Sequence, residues 1–138
     1  MSTVNETHIE GLTSIASNFG PNETMDRLET EIRTKGMEMF ARIDHAVGAA
    51  EVGLTLRPTE LIIFGNARGG TPLMQSVQTI GIDLPLKALV WQDAAGKTWI
   101  SYNEPKWIVQ RHDVANAQPI VTKMADLLSA ISTATAGP

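Results

Sequence analysis

Two periods run through the apolar positions of this chain. Between Pro21 and Lys35, Met25, Leu28 and Ile32 recur every three to four residues, which places them on one stripe of a helix. The remaining positions pair Glu23 with Arg27, Glu29 with Arg33 and Glu31 with Lys35, each acid four residues ahead of its base. That order supports a helix and marks a solvated face, not a binding patch. Gly20-Pro21 opens the segment, and Gly36 stands where a left-handed C-cap belongs. A second stripe (Ile120, Val121, Met124, Leu127, Leu128 and Ile131) predicts a core-facing helix over about 117–134.

The other period is two. Strands are predicted at 11–18, 37–43, 59–65, 85–92 and 97–102, the last two joined by a hairpin across Asp93-Ala94-Ala95-Gly96. Residues 45–53 read as short helical turns capped by Asp44. The run Gly65-Asn66-Ala67-Arg68-Gly69-Gly70 reads as a loop, with Thr71-Pro72 opening a helix over about 72–80. A further short helix runs from Asn103-Glu104-Pro105 to about His112. Residues 1–10 lack periodicity and read as a flexible arm; residues 11–138 form one domain, with no repeat and no dividing linker.

Side chains alternate across a strand, so both sheet faces can be read. Leu86, Ala88 and Val90 oppose Lys87, Leu89 and Trp91; Ile62 and Phe64 oppose Leu61 and Ile63. Both faces are apolar, yet only two long helices are available. Something else covers the second face: the segments 45–57 and 66–81, a ligand, or a second subunit. A homodimer is the expected solution, because soluble monomers rarely leave such a patch bare.

Composition narrows the function. The 138 residues carry a net charge of −4 with no dense basic run, which argues against nucleic acid and against an anionic membrane surface as partners. There are no cysteines, so thiol catalysis, Cys-bound zinc and disulfides are excluded together. No leader or membrane-span pattern is visible, and a cytoplasmic location is expected.

Four residues gather the candidate ligand chemistry. His45 and His112 can act as acid, base or metal ligand. Lys87 shares a strand face with Leu89 and Trp91, and Tyr102 lies on the adjacent strand. The blander reading of each is structural: Asp44 as a cap, Arg111 paired with a carboxylate, Lys87 with its stem along apolar surface. Trp91, Trp99 and Trp107 read as core or interface before they read as a pocket, and the methionines as core fillers. Arg68, Gly69, Gly70 and Thr71 form a weaker candidate for anion binding at a helix start, against the alternative of a plain glycine turn. No cofactor and no metal set is predicted.

The runs Arg42-Ile43-Asp44-His45, Leu54 to Asn66, and Gly69-Gly70-Thr71-Pro72-Leu73-Met74 resemble the domain-of-unknown-function family DUF 302. So do Gly81 to Lys87, Val90-Trp91, Ser101-Tyr102-Asn103 and Arg111-His112. The resemblance extends over nearly the whole chain after residue 10. It implies an α+β fold of β-α-β(4)-α order, TATA-box-binding-protein-like, with a mainly antiparallel sheet, helices on one face and a tendency to dimerise. It implies no activity. The function expected is a small-ligand-binding or sensing module. The alternatives are a small enzyme using a His base on an anionic substrate, and an interaction protein without a ligand.

Overall fold

A computed structural model describes residues 8–138. Five strands, β1 (Leu12–Ser17), β2 (Glu38–Asp44), β3 (Thr59–Gly65), β4 (Leu86–Gln92) and β5 (Thr98–Asn103), form one sheet in the order β1-β5-β4-β3-β2. Every neighbouring pair is antiparallel. The helices are α1 (Pro21–Thr34), α2 (His45–Glu51), α3 (Ala67–Ser76), α4 (Pro105–Arg111) and α5 (Gln118–Ala136), with a 3-10 segment at Gln78–Asp83. The α+β architecture is thus the expected one, with α1 and α5 lying together on one face of the sheet.

The helix-facing side carries the main core. Met25, Leu28 and Ile32 of α1 and Leu128 and Ile131 of α5 close on Ile62, Phe64, Ala88, Val90 and Ile100. The α1 stripe is buried because its three apolar residues recur at the helical period, so one rotation of the helix buries all three. The helix stops at a Schellman turn: Gly36 N–H donates to Arg33 O (3.0 Å) and Met37 N–H to Ile32 O (3.2 Å). Gly36 adopts φ +78°, a conformation that favours glycine. Of the three charge pairs expected along α1, Glu29–Arg33 forms at 3.0 Å. Arg27 departs from the solvated-face expectation. Its Nε and Nη2 donate to Thr135 O and Ala134 O at the end of α5, and its guanidinium lies 4.0 Å over the Phe19 ring. The final carbonyls of α5 lack intrahelical donors and attract a cation, which is why this arginine turns away from Glu23.

A smaller cluster gathers Leu73, Ile80, Ile108, Ala117 and Val121, packing α3 and the 3-10 segment on α4 and α5. The segment 66–81 therefore does not close the far face of the sheet. On that face, Leu61, Ile63 and Leu89 stay half-buried and Ile43 is exposed. Trp91 lies against Trp99 there, with ring centroids 6.1 Å apart. Trp91 Nε1 donates to Ser101 Oγ (2.8 Å) and Trp99 Nε1 to Asp93 Oδ2 (3.0 Å). That donation, with the Lys97 amide, holds the Asp93 carboxyl below the usual carboxylate range. Trp107 belongs elsewhere, against the second core cluster, so the three tryptophans line no common pocket.

Most of the predicted arm lies outside the described residues. His8 is exposed.

Candidate ligand-binding groove

The ends of three strands meet at one edge of the helix-bearing side. There β2 begins after Gly36, β3 stops at Gly65 and β4 starts at Leu86. Across this edge, α3 and the first half of α5 stand apart and leave a groove of about 940 Å³. Its walls are Met37, Met74, Leu84, Leu86, Met124 and Leu127, with the half-exposed Phe40 at the rim. Among the described residues, Arg68 and Lys123 supply its only charges and no acidic residue lines it. Neither cation has a carboxylate partner among the described residues.

The anion-binding candidates Arg68, Gly69, Gly70 and Thr71 all lie on this groove, though in a different local structure from the one expected. The helix starts at Ala67, five residues earlier than Thr71-Pro72 suggested, so the glycines sit in its first turns and Pro72 falls inside it. Asn66 causes the shift. Its side chain accepts from Gly69 N–H (2.8 Å), capping the helix before the proline is reached. Pro72 then costs only one helical hydrogen bond, near the start. The cap also engages the amide best placed for an anion, so recognition at this end falls to the Arg68 and Lys123 side chains.

The other candidates scatter. His45 is exposed at the first position of α2, beside Asp44, whose carboxylate accepts from Val47 N–H (3.0 Å) as expected. His112 follows α4 and is engaged on both nitrogens: Nε2 lies 2.6 Å from Asp83 Oδ2, and Nδ1 lies 3.1 Å from Thr79 Oγ1. Arg111 donates to both oxygens of Asp83 at 2.9 Å. This cluster staples α4 to the 3-10 segment. The two histidines thus sit on different elements, His45 opening α2 and His112 following α4, and neither lines the groove.

Lys87 and Tyr102 both border a shallower depression of about 430 Å³ on the helix-free face, which neither histidine reaches. The Tyr102 ring nevertheless belongs to the main core, because its cross-strand partner is the core residue Ala88 and not Lys87. Burial raises its phenol above the ordinary value. The strand alternation that separates Lys87 from Tyr102 was available in the sequence; the β4–β5 register that decides it was not.

Sequence reasoning passed over Met37, Phe40, Leu84 and Lys123. The α5 stripe held a usable signal, being wider than a core contact requires. Val121, Leu128 and Ile131 are buried, while Ile120, Met124 and Leu127 are only half-buried and turn toward the groove.

The model of the domain of unknown function DUF302 matches residues 13–131. The chain belongs to the DUF302 family. The crystal structure of an uncharacterized conserved DUF302 protein from Bacillus stearothermophilus superposes with a TM-score of 0.83, covering 92% of this chain and 99% of that one at 21% identity. That likeness establishes the DUF302 fold. Two curated relatives are 46% identical over 113 residues, or 82% of this chain: fluoride-specific ion channel FluC 1 of Brucella suis and FluC 2 of Brucella melitensis. The chain spans 44% and 42% of their respective lengths, so more than half of each lies beyond the matched DUF302 stretch. Among the described residues of this chain, no helix is long and apolar enough to cross a membrane.

Proposed function

We propose that this DUF302 chain is a small-ligand-binding module and that its ligand is an amphipathic anion held in the groove between α3 and α5. The supporting observation is the pairing of apolar walls with two cations, Arg68 and Lys123, that have no carboxylate partner among the described residues. Ligand sites of this kind combine a largely apolar lining with a few polar groups that fix orientation, and span about 300–1,000 Å³. The alternative enzyme would use a His base, and among the described residues no His, Asp or Glu lines the groove. Binding therefore fits this groove better than an enzyme. Titration with small organic anions, followed by amide chemical shifts, tests the reading. Shifts confined to α3, α5 and the start of β4 are expected, and they should vanish in an Arg68→Glu, Lys123→Glu variant. Shifts that persist in that variant would defeat it.

The helix-free face supports a partner reading: the chain pairs with a second copy through Leu61, Ile63, Leu89 and their neighbours. Sedimentation equilibrium at micromolar protein should return twice the 14.9 kDa chain mass; a single-chain mass refutes it. The Brucella relatives favour a physiological setting beside fluoride transport. On that reading, a strain lacking this protein grows less well in sodium fluoride and is restored by the chain. Unchanged tolerance removes the link.

A further inference from the structure

Gly69 and Gly70 hold an unusual position in α3. Neither has the positive φ that would call for glycine, and both sit inside a helix, where each costs about 1 kcal/mol relative to alanine. Sterics do not exclude alanine. A Cβ on Gly69 would meet Asn66 Oδ1 at 3.5 Å and Met124 Cε at 3.6 Å; one on Gly70 would meet Leu84 Cδ1 at 3.6 Å and Met74 Cε at 3.7 Å. These are ordinary contacts, and all four partners line the groove. What the two missing methyl groups provide is depth: the backbone of α3 lies bare where the groove runs against Met74, Leu84 and Met124. Glycine serves in this way where something must approach a backbone closely.

The lining also points to the shape of the occupant. Met37, Met74 and Met124 are unbranched and adaptable, and they suit a flexible chain more than a rigid ring. Phe40, at the rim, is the only aromatic residue on the groove among the described residues, too little for a stacking platform. The polar side chains Asn66 and Thr71 are exposed. The cations Arg68 and Lys123 match one anionic head.

We infer that the groove takes a long-chain carboxylate, its saturated chain along the methionine and leucine walls, with Gly69 and Gly70 setting the depth it can reach. This rests on the small-anion reading above and specifies its ligand class. The test uses decanoate, dodecanoate and tetradecanoate below their micellar concentrations, with 1-naphthoate and dodecyltrimethylammonium alongside, followed by calorimetry and amide shifts. Each two carbons removed should weaken binding about tenfold, as expected for burying methylene groups. Gly70→Ala should raise the melting temperature yet weaken dodecanoate binding at least tenfold. If instead it leaves affinity unchanged, the depth role is overturned. Naphthoate binding without dodecanoate overturns the acyl-chain inference and leaves the small-anion reading standing. Dodecyltrimethylammonium binding as tightly as dodecanoate overturns the part given to Arg68 and Lys123. Failure of every anion overturns both.

Discussion

Replacing Arg42 with alanine tests how the sheet's outer strand β2 is tied to the helical layer. Arg42 projects toward the helices and makes two bonds to Glu60, Nε to Oε2 at 3.0 Å and Nη2 to Oε1 at 2.9 Å. Its Nη1 reaches Glu29 and Asp26 on α1, both at 3.1 Å. Exposed ion pairs contribute about 0.2–1 kcal/mol and charge-assisted bonds in protected settings about 1.5–3. The side chains of Arg42, Glu60 and Glu29 are 27%, 18% and 23% exposed, whereas Asp26 is 72% exposed and adds little. The bidentate pair and the Glu29 bond place the loss near 2 kcal/mol at pH 7, read as a shift of the urea midpoint at constant slope. Acid should reduce it. Arg42 first, and Arg33 second, hold the Glu29 carboxyl below its usual range. A carboxyl lowered in the folded state stabilises the protein above its unfolded pKa, and that contribution fades as pH falls through the lowered folded value. The gap between parent and variant should therefore shrink from about pH 5 toward pH 2. A variant within about 0.5 kcal/mol of the parent at pH 7, or a gap that ignores pH, would refute the reasoning.

Gly11 sits at φ +77° with a would-be Cβ 2.3 Å from Trp107 Cγ, so Gly11→Ala should cost at least about 2 kcal/mol in thermal melts. Gly20→Ala, with nothing within 4 Å, is the control and should cost about 1 kcal/mol or less. Tyr102 is the only tyrosine, so absorbance at 295 nm reports its ionisation directly. The midpoint should lie above that of free tyrosine, with stability falling as pH rises past the free value, because the unfolded chain ionises first; a midpoint at or below that value contradicts the burial assigned to the ring. Asp44→Ala should speed amide exchange across α2, a helix with no buried residue to hold it, while leaving α1 unchanged.

The fold was legible because its signals are local and repeated. The α1 and α5 stripes, the Asp93–Gly96 hairpin and the Gly36 stop each depend on residues close in sequence. The site was less legible because it is assembled across the chain. Met37, Leu84 and Met124 become neighbours only once strand order and helix placement are known, and each alone reads as core. His112 illustrates the converse. Its residue type suggested a functional ligand, but Asp83 and Thr79 occupy both ring nitrogens, a pairing set by a 3-10 turn the sequence did not announce. Asn66 was the overlooked short-range signal, since an asparagine just past a strand caps a helix as readily as Thr71 does.

The strand order also governs how the molecule is made. Among the described residues β1, at one edge of the sheet, pairs only with β5, so Leu12 meets Asn103 and Ser17 meets Thr98 across most of the chain's length. During synthesis β1 leaves the ribosome early and stays unpaired until β5 has followed, while β2, β3 and β4 can already form their antiparallel ladder. That ladder exposes its β4 edge until β5 arrives, and the main core stays open until α5 delivers Leu128 and Ile131. Long-range pairing of this kind slows folding, and unpaired edges recruit neighbouring chains. Truncation anywhere before the last helix should therefore yield aggregating fragments, not a smaller stable domain.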